Sequence, residues 1–141
     1  MPRQRWEALV RGDGCPLCAE LASGEAENTH GFVVAEFRIS QLRLSREQHV
    51  PGELAPEERG DFFTDLLRAG EALEHVYAAD KIDYQILGNL VPHLHAHIQP
   101  RFHGDAYPGQ PVSGAPEQPV FLPADEYLER IAAIRAALQL L

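Results

Sequence analysis

The sequence predicts an α+β fold on three observations: short runs of strand formers that pair with their chain neighbours, one long amphipathic helix between two such pairs, and a second amphipathic helix near the end. At 141 residues the chain is expected to form one domain over 1–141, large enough for a hydrophobic core without staples. No internal repeat is visible.

Taken in order, Trp6, Leu9 and Val10 recur at helical spacing over residues 3–11 before Gly12 and Gly14 break the pattern. A short helix should therefore lead into a knuckle at Cys15-Pro16-Leu17-Cys18. Residues 32–37 are rich in strand formers and residues 41–45 alternate polar with apolar, which predicts an antiparallel hairpin turning near residues 38–40. Pro56, Glu57 and Glu58 suit the first turn of a long helix, and Phe62, Phe63, Leu66, Leu67, Leu73, Val76 and Tyr77 continue it to about residue 79 as a core stripe. Residues 84–87 then read as a strand, Gly88-Asn89 as a tight connection, and the histidine-rich run that follows as the paired strand. Residues 103–123, with seven glycines and prolines from Gly104 to Pro119, read as a long ordered loop or flap. After Pro123 comes a last helix with Leu128, Ile131, Ile134 and Leu138 on one stripe.

Charge narrows the function classes. The formal charge is -9, with Lys81 the only lysine among twelve basic residues, which argues against broad nucleic-acid binding. No apolar run approaches the length of a membrane span and no apolar leader is seen, so a cytoplasmic setting without membrane attachment is expected.

The chemistry concentrates in two places. His93, His95 and His97 alternate between Pro92 and Pro100, and on a strand their imidazoles would form one row while Leu94, Ala96 and Ile98 face the other way. A core seldom collects three adjacent imidazoles, because each would need its own hydrogen-bond partner. Cys15 and Cys18, the only cysteines, have a metal-ligand or redox spacing; a redox pair should open a helix directly after a strand, and no apolar strand precedes this one. Two thiolates and two imidazoles make a common structural zinc set. His93 is the natural third ligand and His49 the fourth, with His30 as its rival, while His75 and His103 read as solvated.

That leaves His95 and His97 for reaction. A neutral His95 is a competent nucleophile toward phosphorus if its other nitrogen donates to a backbone carbonyl. His97, about 6 to 7 Å further along a strand, could donate to a phosphoryl oxygen or help a leaving group depart, and backbone amides near Asn89 could steady the developing charge.

The run from His93 to Arg101 resembles the signature of the histidine triad superfamily, nucleotide hydrolases and transferases named for His-x-His-x-His. It is similar in particular to bacterial members in the style of diadenosine polyphosphate hydrolases, which also carry Cys-x-x-Cys near the start. The resemblance implies an antiparallel sheet with one long helix and a C-terminal helix, usually in a homodimer. It implies a covalent nucleotidyl intermediate on His95, a phosphate contact from His97, zinc held by Cys15, Cys18, His49 and His93, and nucleotide contacts from Asn89 and the acidic Glu47. Two departures stand out. The family places a strand of the form Gly-x-x-Leu-Val-x-Pro between the ribose-binding acid and the histidine ahead of the long helix, whereas here only Gln48 separates Glu47 from His49. Either the sheet is one strand smaller or the sequence omits a segment. Gln99 replaces a usual apolar residue; it is expected on the far face of the strand, reaching nucleotide or a partner chain. The implied activity is hydrolysis at the α-phosphate of a dinucleoside polyphosphate or a nucleoside phosphoramidate. The alternatives are a nucleotidyltransferase or phosphorylase, and a non-catalytic nucleotide- or zinc-binding protein.

Overall fold

The computed structural model describes residues 1–24, 27–28, 31–37, 41–45, 54, 56–86, 93–105, 109–112 and 121–141. Helix α1 (Arg3–Val10) is followed by α2 (Pro16–Ser23), strands β1 (Glu27–Asn28), β2 (Gly31–Glu36) and β3 (Gln41–Ser45), the long helix α3 (Arg59–Tyr77), strands β4 (Lys81–Gln85) and β5 (His97–Arg101), and α4 (Ala124–Leu138). The α+β class stands, and every described strand pairing is antiparallel. The described strands divide into two sheets, β1-β2-β3 and β4-β5.

The expected hairpin is β2 and β3, with a register shift between Val33 and Ala35. That irregularity disrupts the ladder locally, and Arg135 of α4 uses the carbonyls beside it, donating to Val34 O at 2.6 Å and Val33 O at 3.0 Å. The contact seats α4 on the three-stranded sheet. Between them lies the core, where Phe32 and Val34 of β2 meet Ile131, Ile134, Ala137 and Leu138 of α4 and Ala72 and Leu73 of α3. Tyr127 stacks on Phe32 with ring centroids 5.1 Å apart, filling the place at the helix start that the sequence assigns to Leu128, which is exposed.

Helix α3 also differs from its expected stripe. Leu66 and Leu73 are buried, but Phe63 and Leu67 face outward, and the inward line runs instead through the small residues Ala69, Gly70 and Ala72. Small residues let neighbours come close. Tyr84 of β4 lies over Gly70 so tightly that a Cβ there would stand 1.9 Å from its hydroxyl oxygen.

Two strand positions shift. Sequence reading puts the strand before the connection at residues 84–87, but the ladder occupies Lys81–Gln85, where lysine and aspartate lower the local strand propensity and hide it. The histidine run is expected to be strand throughout, yet the ladder begins only at His97, opposite Gln85. Since β4 ends at Gln85, residues 93–96 have no ladder partner among the described residues. Helix α2 was not expected; its signals were Pro16 at the first helical position and Gly24 in the left-handed region (φ 67°) past the end. Among the described residues no helix is long and apolar enough to cross a membrane.

Candidate functional site

The site starts at the knuckle. Gly12 and Gly14, at φ 86° and 69°, adopt backbone conformations open to glycine, and they turn the chain from α1 into Cys15. Cys15 caps α2, its Sγ accepting the Cys18 backbone N–H at 3.4 Å. One helical turn then brings Cys18 beside it. From the far end of the fold His93 closes the group, with Nδ1 at 3.5 Å from Cys15 Sγ and 3.3 Å from Cys18 Sγ. Both cysteines are free thiols, Cys15 buried and Cys18 partly so.

Burial, then the hydrogen bond and charge of Cys15, push the Cys18 thiol above its usual value. Burial lowers His93 and so favours the neutral imidazole, the form that ligates metals. The three donor atoms all lie within 4.8 Å of one another and can hold a metal ion. His49 and its rival His30 lie outside the described residues. Of the two features a redox pair should show, α2 supplies one, since the pair opens a helix, but α1 and not a strand comes before it.

His93 turns its ring toward the sulfurs and its carbonyl toward His95. The distance from that oxygen to His95 Nδ1 is 3.2 Å, and since a carbonyl only accepts, Nδ1 carries the proton in this contact. In the neutral ring Nε2 is then the lone-pair nitrogen. His97 Nε2 faces it at 3.2 Å with the rings edge to face, so the proton between them belongs to His97. The pair thus offers one nucleophilic nitrogen with one N–H donor touching it, a geometry suited to attack on an electrophile whose charge grows as the bond forms. His75 and His103 are exposed, as expected.

The row continues past the third histidine. His97, Gln99 and Arg101 alternate with Ile98 and Pro100, and their ladder partners are Gln85, Asp83 and Lys81. Gln99 therefore shares the face of His97, which corrects its expected place on the far face: with a period of two, an odd-numbered residue in this run must side with the histidines. Gln85 Nε2 donates to Gln99 Oε1 at 3.0 Å and to Val112 O at 3.3 Å. Arg101, 6% exposed, is held by Asp83, Asp105 and the Gln110 carbonyl, and the two carboxylates raise its already high pKa, Asp105 foremost. Its guanidinium is spent on the fold.

Beside this end of the sheet lies a cavity of about 620 Å³ between β4 and the turns after β5, lined by Gln85, Asp83, Arg101 and Gln110 among others and by none of the three histidines. Sequence reading missed the Gln85 tie and the Asp83-Arg101-Asp105 group. Their signal was the polar alternation of Lys81, Asp83 and Gln85, which an antiparallel partner would match to Arg101, Gln99 and His97. Asn89 and Glu47 lie outside the described residues.

An α+β chain with a row of histidines entering an edge ladder, one ring turned to a cysteine pair and the next two in mutual contact, defines the class. The chain belongs to the HIT domain family, whose model matches residues 30–104, just over half its length. Among solved structures it is similar to a histidine triad protein from Bradyrhizobium japonicum, 27% identical, with a TM-score of 0.68 over 77% of this chain and 91% of that one. Histidine triad proteins from Sinorhizobium meliloti 1021 and Marinobacter aquaeolei VT8, each 23% identical, share the fold, with TM-scores of 0.66 and 0.65. They cover 77% and 87% of this chain and 90% and 95% of theirs. No curated protein matches the chain by sequence.

Proposed function

We propose that the protein hydrolyses nucleotides at the α-phosphate, taking a dinucleoside polyphosphate or a nucleoside phosphoramidate through a nucleotidyl intermediate on His95. The observation that carries this reading is the hydrogen bond from His95 Nδ1 to the His93 carbonyl, which leaves Nε2 unprotonated beside the His97 N–H. His95 Nε2 gives its electron pair to phosphorus as the bond to the leaving group breaks. His97 transfers its contact from His95 to the incoming phosphoryl oxygen or the departing atom, where it stabilises charge or supplies the proton. Water then attacks the same phosphorus, the bond to His95 breaks, and the nucleoside monophosphate leaves. Gln99, Asn89 and Glu47 are assigned to the nucleotide.

The donor set also fits zinc. Tetrahedral bonds of about 2.3 Å to sulfur and about 2.0 Å to nitrogen place those atoms about 3.5 Å apart, close to the 3.5 and 3.3 Å between His93 and the two cysteines. Cys15, Cys18 and His93 would hold the ion with His49 as the fourth ligand. It would be structural, fixing the knuckle to the histidine run. A homodimer in the cytoplasm completes the reading; Phe63 and Leu67 on α3 and Tyr84 over Gly70 form one exposed apolar stripe that a second copy would cover.

The test is turnover of diadenosine polyphosphates and adenosine phosphoramidates by the wild type and by His95→Ala. Rapid quenching at neutral or alkaline pH, followed by mass spectrometry, should find a nucleotidyl adduct on the peptide carrying His95. Undiminished AMP release by His95→Ala overturns the assignment. Product analysis with added phosphate or sugar phosphate separates hydrolysis from transfer.

A further inference from the structure

The segment after the flap's first turn is held to the histidine face by side chains, not by strand pairing. Gly109 starts it at φ 70°, and Pro111 in its middle has no N–H to offer a ladder. Its carbonyls at Gln110 and Val112 are taken instead, the first by Arg101 at 3.0 Å and the second by Gln85 at 3.3 Å. Arg101 and Gln85 stand at opposite ends of the β4-β5 ladder, so the segment lies along the strands like a strap fixed at both ends.

At the histidine end the fastening does more than hold chain. Gln85 is the ladder partner of His97, which places their Cβ atoms about 4.5 to 5.5 Å apart. By donating to Gln99 Oε1 it also selects which way the Gln99 amide points. With the oxygen engaged, the Gln99 amide nitrogen has no hydrogen-bond partner among the described residues, and it lies one strand repeat beyond His97. Gln85 borders the 620 Å³ cavity as well, so it stands between His97, its ladder partner, and that space.

We infer that Gln85 is a positioning residue: one amide group fastens residues 109–112 as a wall beside His97 and orients Gln99 to donate to bound nucleotide. The inference rests on the nucleotide reading above. Its experiment uses AMP as the probe and does not require turnover. Gln85→Met keeps the shape and removes both donors, whereas Gln99→Met removes the donor to ligand together with the oxygen that accepts from Gln85, and leaves the Gln85 tie to Val112.

Calorimetric titration with AMP should show affinity falling roughly tenfold in each variant, the scale of one lost hydrogen bond. Backbone order parameters of Gly109, Gln110 and Val112 should drop from about 0.85 to below about 0.6 in Gln85→Met and stay high in Gln99→Met. Unchanged order parameters in Gln85→Met, or AMP affinity equal to wild type in both variants, overturn the proposal. The amides of β4 and β5, measured in the same spectra, show whether each variant is folded; should Gln85→Met not fold, flexible 109–112 amides in Gln99→Met would equally overturn the strap. A wild-type protein that does not bind AMP refutes the nucleotide reading and this inference with it, whereas wild-type binding with unaltered variants refutes the inference alone.

Discussion

His93 and His95 are coupled through the backbone: the ring of His93 meets both cysteines, and its carbonyl oxygen accepts a hydrogen bond from His95 Nδ1–H at 3.2 Å. A metal ion on the first residue would thereby hold the tautomer of the second. Loss of the ion should cost activity without touching the nucleophile. Cys15→Ser is expected to lower metal content on elemental analysis and to reduce kcat by roughly tenfold to a hundredfold, the usual scale for groups that orient a functional ligand. Full metal content with reduced activity, or full activity without metal, would separate the two sites and end the coupling argument.

His97 touches His95 but does not replace it. In His97→Ala the nitrogen of His95 keeps its lone pair, because the His93 carbonyl still fixes Nδ1. The loss is a donor to the transition state, so kcat should fall by about 10² to 10⁴ with less change in KM. The split should depend on the leaving group, since a good one needs no proton. A phosphoramidate and a substrate with an acidic leaving group, compared in the same variant, provide the check; equal losses on both would assign His97 to the phosphoryl oxygen.

How far the sequence reaches depends on what kind of signal each element leaves. The period of two in His93, His95 and His97 marked the run in which His95 and His97 come into contact, although only His97 lies in the strand that period presumes, and the spacing of Cys15 and Cys18 marked a pair that could hold a metal with His93. The strand bounds of β4 were not marked, since Lys81 and Asp83 look like loop residues until Arg101 and the ladder neutralise them. Phe63 and Leu67 were misplaced for a related reason: apolarity marks residues that avoid water, but the close approach of Tyr84 to Gly70 decides which face of α3 turns inward. Small residues carry no hydrophobic signal. The Gln99 error was one of parity within the same run, correctable by counting.

That packing of Tyr84 on Gly70 gives a prediction whose sign changes with background. Glycine in a helix interior costs about 0.8 to 1 kcal/mol relative to alanine, yet a new Cβ here would collide with a tyrosine ring, and overpacking costs about 1 to 3 kcal/mol. Gly70→Ala alone should therefore lower stability by about 1 kcal/mol. In a Tyr84→Ala background the collision is gone and the same change should raise stability by about 1 kcal/mol. Denaturant unfolding of the four proteins in the cycle measures both values, and effects of the same sign in both backgrounds would remove Tyr84 as the cause.

Acid should expose the charge group at the other end of the ladder. The Asp83 carboxyl is held below its usual pKa, first by the hydrogen bond from Lys81 at 2.7 Å and then by Arg101 at 2.5 Å, against an opposing effect of burial. A carboxyl lowered in the folded state binds its proton more readily when unfolded, so its stabilising effect is full above about pH 4 and is lost as pH falls through the lower folded value. Asp83→Asn should be less stable than wild type at pH 7, because buried Arg101 loses one of the two carboxylates that hold it, and its unfolding midpoint should fall less steeply between about pH 4 and pH 2. Salt divides the two partners. Lys81 is largely exposed and its contact should fade as ionic strength rises, whereas that of Arg101, with a side chain 8% exposed, should persist. Wild type and variant with the same acid slope would show that Asp83 does not stabilise the fold through its charge.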